Sequence, residues 1–269
     1  MPELPEVETT RRGIEPHVKG RKIRQLLVRD HRLRWPVDAG IPQSVSGQSV
    51  ISVSRRAKYL LLELDKGWLM LHLGMSGSLR ILPAGTPPET HDHVDVLFDS
   101  NQVLRFRDPR RFGSLFYMKA LDHPLLSKLG PEPLSEDFSV DYLMRRARYV
   151  RRNIKTFLMD AEIVVGVGNI YANEALFYAG IRPLTEAGKV RRARMARLVP
   201  AVKMVLAKAI DAGGTSLRDF LREDGKPGYF RHELQVYGRE GEACYACEGP
   251  LTSLRISNRA TVYCRRCQR

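Results

Sequence analysis

All four cysteines of this chain stand in one short stretch, Cys244-x2-Cys247-x16-Cys264-x2-Cys267, and none occurs elsewhere. Two CxxC pairs at this spacing can place four thiolates tetrahedrally on two hairpin knuckles, so the stretch is predicted to fold around one zinc ion and not as a disulfide framework. Four sulfur ligands leave no open position for water. The metal is therefore expected to be structural, with a hairpin that presents the residues between the pairs, Arg255 and Arg259 among them.

The rest of the chain must build its own cores. At 269 residues it exceeds what a single core usually serves, and 43% hydrophobic residues mark it as globular. No signal peptide opens it, and its apolar stretches, such as Trp68 to Met75, are far shorter than a bilayer span, so a soluble intracellular protein is expected. Lys and Arg total 44 against 30 for Asp and Glu, a net +14 with a pI near 9.9. Such a balance asks for a polyanionic partner. Nucleic acid leads, because neither a basic amphipathic terminal helix nor a lipidation motif supports a membrane surface.

Residues 5–18 read as a helix with Leu4, Val7 and Ile14 on its apolar side. Short apolar or alternating runs follow at 23–28, 50–55, 59–64, 68–73, 94–98 and 103–106, with Asp-Lys-Gly and Asp-Ser-Asn-Gln where hairpin turns belong, which predicts an antiparallel β-sandwich. The Pro-rich segment His123 to Pro133 reads as a linker. Helices are expected beyond it, at 169–180 and at 190–210, the latter kinked or restarted at Pro200. Two basic runs, 145–155 and 189–197, read as solvated faces of amphipathic helices. The segment Val164-Val-Gly-Val-Gly-Asn-Ile170 is open to two readings, a glycine turn that lets backbone N–H groups approach a phosphate or an ordinary tight helix-to-helix turn.

The opening, Met-Pro-Glu-Leu-Pro-Glu-Val-Glu-Thr, sets a proline at position 2 beside three carboxylates. With Met1 removed, Pro2 is a secondary amine with a reference pKa of about 8, partly neutral and nucleophilic at physiological pH. Taken alone, the stretch is an ordinary helix start.

Together, this opening, the Gly-Val-Gly-Asn-Ile-Tyr turn and the terminal cysteine ribbon resemble the bacterial formamidopyrimidine-DNA glycosylases, and the resemblance runs end to end. It also covers Arg55-Arg-Ala-Lys-Tyr-Leu60, His72-Leu-Gly-Met-Ser-Gly77, Asp108-Pro-Arg-Arg-Phe-Gly113 and Asp224-Gly-Lys-Pro-Gly-Tyr-Phe230. The resemblance implies a multidomain α+β protein: an N-terminal helix and antiparallel β-sandwich (1–122), a helical helix-two-turn-helix domain (123–236) and a zinc ribbon (237–269). It implies a bacterial cytoplasmic, monomeric base-excision repair enzyme that removes 8-oxoguanine and ring-opened purines from double-stranded DNA and cuts the abasic strand by β- and δ-elimination. Pro2 would be the Schiff-base nucleophile, Glu3 the proton donor and Lys58 a catalytic lysine on the phosphates beside the lesion. Glu6 and Glu174 would support them. His72, His91, Arg111, Lys155, Asn169 and Arg259 are implied as further DNA contacts, and Met75, Arg110 and Phe112 as the trio that enters the duplex when the base is flipped. Residues 215–230 resemble a loop that closes over the flipped purine, with Arg218 where some members carry lysine. That loop and Leu4 favour this branch over the endonuclease VIII-like glycosylases of oxidised pyrimidines. A zinc-ribbon DNA-binding protein without catalysis is the reading of another class, and it leaves the Pro2-Glu3 pair unexplained.

Overall fold

The structure, a computed structural model, describes residues 2–214 and 233–269. These fall into two compact units, residues 2–127 with 212–214 and residues 128–211 with 233–269.

The first unit runs α1 (Leu4–Val18), β1 (Ile23–Val28), α2 (Ile41–Val45), β2 (Val50–Arg56), β3 (Tyr59–Leu64), β4 (Gly67–His72), β5 (Ser78–Pro83), β6 (Asp92–Phe98), β7 (Gln102–Arg107), β8 (Ser114–Met118) and α3 (Pro124–Ser127). All its ladders are antiparallel, in two four-stranded sheets ordered β1-β6-β7-β5 and β2-β3-β4-β8. Both sheets contribute to one core, which Val7, Ile14 and Val18 of α1 join. β3 reads as a nearly unbroken apolar run because both its faces are covered. Leu60 and Leu62 enter that core, while Leu61 packs with Met70 and Met118 in a second cluster that Leu125 and Leu126 of α3 partly cover. The expected linker thus begins with a short packed helix, a correction that follows from those two leucines finding an apolar surface.

The second unit holds α4 (Val140–Ala147), α5 (Ile154–Leu158), α6 (Asn169–Ala179), a 3-10 turn at Ala187–Lys189, α7 (Arg192–Asp211), β9 (Leu251–Ile256) and β10 (Arg259–Cys264). Ser139 and Asn153 cap α4 and α5 through their side chains, and α6 stops where Gly180 turns left-handed at φ 67. Of the two readings at Pro200, a kink or a restart, the restart does not occur. α7 runs through it, held by Met195, Leu198, Val202, Val205 and Leu206 on its buried side. β9 and β10 form a hairpin whose turn, Ser257–Asn258, has φ values of 49 and 59. Among the described residues no helix is long and apolar enough to cross a membrane.

Candidate active site and nucleic-acid interface

Pro2 and Glu3 are buried at the head of α1. Glu3 occupies the N-cap with extended backbone, and its N–H donates to Glu6 Oε2 at 2.8 Å. Pro2 is buried, and Glu3 and Glu6 are each only 2% exposed. Carboxylates at this end of a helix are favoured by its dipole, but their burial sets them apart from helix-flanking surface charges. Gly214, at φ +83, lies against Glu6, where an added Cβ would stand 3.3 Å from Glu6 Cγ.

Lys58 sits in the β2–β3 turn, directly after Ala57 with its left-handed φ of 55. Arg55 ties this turn to α1: its Nη1 donates to Ala57 O at 2.8 Å and its Nε pairs with Glu8 Oε2 at 3.2 Å. Tyr59 and His72 are register partners, with ring centroids 4.9 Å apart. His72 Nδ1 accepts from Gly74 N–H at 2.9 Å, which assigns its proton to Nε2. Burial, reinforced by the charges of Lys58 and Arg34, pulls the imidazole pKa down to about 4. At neutral pH His72 is therefore an uncharged N–H donor beside a lysine.

One buried carboxylate, fully inaccessible Asp108, organises the next group. Its Oδ1 accepts from Ser76 Oγ at 2.8 Å and its Oδ2 from Gly113 N–H at 2.7 Å, while its carbonyl accepts from Arg111 N–H at 3.2 Å and stands 2.8 Å from His93 Nε2. Ser76 Oγ in turn accepts from Arg110 N–H at 3.2 Å. The loops 73–77 and 108–113 are thereby locked together, and Met75, Arg110 and Phe112 are mounted on the pair. Arg110 and the 42%-exposed Phe112 face outward, with the guanidinium 5.1 Å from the ring centroid. Gly74 and Gly113 make the closeness possible, since a Cβ on Gly74 would stand 2.4 Å from Gly113 N. His91, at φ 75, accepts the Asp108 N–H through its carbonyl. Arg111 pairs with Asp30 at 2.8 Å; Arg32 first, and Arg111 second, hold that carboxyl well below the usual range.

In the second unit Glu174 is 1% exposed and accepts three backbone N–H groups, from Gln235 at 2.8 Å, Val236 at 3.0 Å and Tyr237 at 2.8 Å. Burial pushes its carboxyl up and the three donors oppose that shift. Lys155 is as deeply buried, its ammonium donating to Ala260 O at 2.9 Å and Thr261 Oγ1 at 2.7 Å. Asn169 Nδ2 donates to the same Ala260 carbonyl at 3.1 Å, and Asn169 Oδ1 is buried without a hydrogen-bond partner. Both side chains thus hold the tip of the ribbon hairpin, where Arg259 is exposed.

The four cysteines converge, with ligand atoms all within 4.8 Å of one another. Tetrahedral thiolates at ~2.3 Å from one ion stand about 3.8 Å apart; here Cys244 and Cys267 are 4.0 Å and Cys247 and Cys264 3.4 Å apart, with no disulfide. Burial and the neighbouring sulfurs push the Cys267 thiol up to about 12, a situation a bound cation reverses. The donor set fits a metal ion.

The profile of the formamidopyrimidine-DNA glycosylase N-terminal domain matches residues 1–115, and that of the formamidopyrimidine-DNA glycosylase H2TH domain residues 129–221. The formamidopyrimidine-DNA glycosylase of Idiomarina loihiensis is 56% identical over the full length of both chains. The chain belongs to the formamidopyrimidine-DNA glycosylase family. The crystal structure of the MutM (Fpg) protein from Thermus thermophilus is 40% identical, with a TM-score of 0.89 over 99% of this chain and 98% of that one. The Lactococcus lactis Fpg complex with Fapy-dG-containing DNA gives a TM-score of 0.92 at 33% identity over 99% of both chains. As a member of the formamidopyrimidine-DNA glycosylase family this protein is an enzyme, a DNA glycosylase and AP lyase, built as a β-sandwich, a helix-two-turn-helix domain and a four-cysteine ribbon.

Sequence reasoning on this glycosylase missed Asp108 and Ser76 as the joint between the loops, and Arg34 as a charge beside His72. Asp-Pro followed by Gly113 carries a turn signal, but nothing local points from Asp108 to Ser76. The loop expected at 215–230, with Arg218, lies outside the described residues.

Proposed function

We propose that this protein removes oxidised purines from double-stranded DNA and cleaves the resulting abasic strand, acting as a monomer in the bacterial cytoplasm. The observation that carries the reading is the burial of Pro2, Glu3 and Glu6 together at a capped helix start, since it gathers two carboxylates and, once Met1 is removed, an amine in one desolvated place. With Met1 removed, the Pro2 nitrogen attacks C1′ of the damaged nucleotide and the C1′–N bond to the base breaks, the base leaving with a proton. Glu3 protonates O4′ as the sugar opens, and the nitrogen lone pair forms the iminium. The positively charged iminium acidifies the C2′ proton. Its loss expels the 3′-phosphate, and a second elimination expels the 5′-phosphate.

Glu6 fixes the backbone of Glu3, and Glu174 anchors residues 235–237. Lys58, His72, Arg111, Asn169 and Arg259 contact phosphates, His91 is a further DNA contact, and Lys155 serves DNA binding through the hairpin that carries Arg259. Met75, Arg110 and Phe112 fill the void left by the extruded base. A zinc ion held by the four cysteines would fold the ribbon and take no part in the chemistry. DNA complexes of the L. lactis relative with Fapy-dG and with an abasic site support the substrate class. The family pattern favours a functional division at 1–122, 123–236 and 237–269, with α3 packed on the first compact unit and the ribbon grouped with the helices in the second.

Borohydride reduction on an abasic duplex, followed by peptide mapping, should place the DNA remnant on Pro2. A protein that retains Met1 keeps every side chain but has no free proline nitrogen. It should bind lesion DNA without trapping or cleavage, and cleavage by that protein sinks the mechanism.

A further inference from the structure

Two basic runs distant in sequence meet on one face of the second unit. α4 ends at Ala147, and the chain then bends at Tyr149, which takes a left-handed φ of 64. The 3-10 turn is stitched onto this bend. Gly188 N–H donates to Val150 O at 2.9 Å and Ala187 N–H to Arg152 O at 2.9 Å. A Cβ on Gly188 would stand 3.0 Å from Val150 O and 3.1 Å from Ala147 O, so any side chain there would push the two backbones slightly apart.

Charge is gathered there without being neutralised. Asp160, Glu186 and Asp141 match Arg152, Lys189 and Arg192. Arg146, Arg148, Arg151 and Arg191 are exposed and have no carboxylate partner among the described residues. Such a cluster repels itself unless a polyanion lies on it. At the apex of the bend Tyr149 is 83% exposed, more than any other large hydrophobic side chain described. Arg148 stacks over its ring at 4.8 Å. A tyrosine in a left-handed conformation is disfavoured, and here no burial compensates it.

We infer that this face is a second nucleic-acid contact, a platform for unpaired DNA that takes phosphates on Arg146, Arg148, Arg151 and Arg191 and stacks one base on Tyr149. Arginines that track a backbone around an exposed aromatic ring are what sequence-independent single-strand binding requires. The inference shares no residue with the lesion site and does not depend on Pro2 chemistry.

The test is fluorescence anisotropy of the full-length protein with an undamaged single-stranded oligonucleotide. Tyr149→Ala should weaken binding about tenfold, as loss of one stacked base does, and Tyr149→Phe should retain it. Removing Arg148 and Arg151 together should reduce the log-log salt slope by about 1.4. All these variants should cleave a lesion duplex at saturating enzyme as fast as the parent, and the Met1-retaining protein should bind the oligonucleotide normally whether or not Pro2 is the nucleophile. Unchanged affinity in Tyr149→Ala, equal losses in Tyr149→Ala and Tyr149→Phe, or an unchanged salt slope overturns the platform.

Discussion

The sandwich and the ribbon mount outward-facing residues on buried charges of opposite sign. In the sandwich, Asp108 gathers hydrogen-bond donors from two loops and leaves Arg110 and Phe112 at the surface. At the ribbon, Lys155 reaches in from α5 and donates to the hairpin behind Arg259. Near a polyanion the two are not equivalent. A carboxylate repels the proposed partner and must be sealed in with its charge taken up by hydrogen bonds, whereas an ammonium adds to the attraction even when it never reaches a phosphate.

The comparison can be broken at several points. The largest effect should come from the ribbon itself: Cys247→Ser, or removal of metal by a chelator, should abolish binding to a lesion duplex, because a four-thiolate site supplies much of the folding free energy of so small an element. Full affinity in a metal-free preparation would refute this. Asp108→Ala should come next, at about 3–5 kcal/mol in thermal or denaturant unfolding, since it strands the buried Gly113 N–H and frees Ser76. Asp108→Asn should recover part of that loss, and equal losses would mean that charge, not acceptor geometry, holds the loops. Lys155→Met should cost about 1–3 kcal/mol and weaken DNA binding while changing its salt slope by much less than the ~0.9 of one phosphate contact. A slope change of about one unit would show the ammonium on a phosphate and dissolve the contrast. Arg259→Ala should lower a slope on the order of −4 to −5 by about one unit.

At neutral pH no change is expected from the last test, a pH dependence peculiar to the sandwich that emerges only on acidification. Unfolded His72 protonates near its ordinary pKa but folded His72 only near 4, so the unfolded state binds the extra proton as pH falls through that window and native stability declines with it. His72→Gln should flatten this decline in unfolding titrations, and an unaltered profile would show that His72 is not its source.

The periodic parts of this fold were legible in the sequence. α1 and six of the strands follow from where apolar residues fall, because each buries a face that its own residues define. β5 and β8 were not read, and both are terminal strands of their sheets, bounded by Gly77 and Pro83 or preceded by Gly113. Their burial does not alternate, so no period marks them and only pairing with β7 and β4 makes them strands. α3 was hidden for the same reason, since Leu125 and Leu126 form a packed turn only once Met70 and Met118 supply the surface. The candidate site divides likewise. The four cysteines carry their chemistry in their spacing. Pro2, Glu3, Lys58 and Arg259 were named through family motifs, and the structure adds how their surroundings hold them. Asp108 could not be singled out, because Ser76, which closes the joint, stands 32 residues earlier.

The back-to-back contact of Gly74 and Gly113 separates mounting from the reading proposed for these loops. Neither loop can gain a side chain at the point where they touch, so their spacing is set by main chain alone. The residues at 75, 110 and 112 can then change without moving the main chain that holds them, even though Arg110 and Phe112 touch side chain to side chain. Exchanges at these three positions should alter which orphaned base is tolerated and leave the unfolding temperature nearly unchanged, so that preference for the opposite base can be re-engineered as a set of interchangeable tips on a fixed holder.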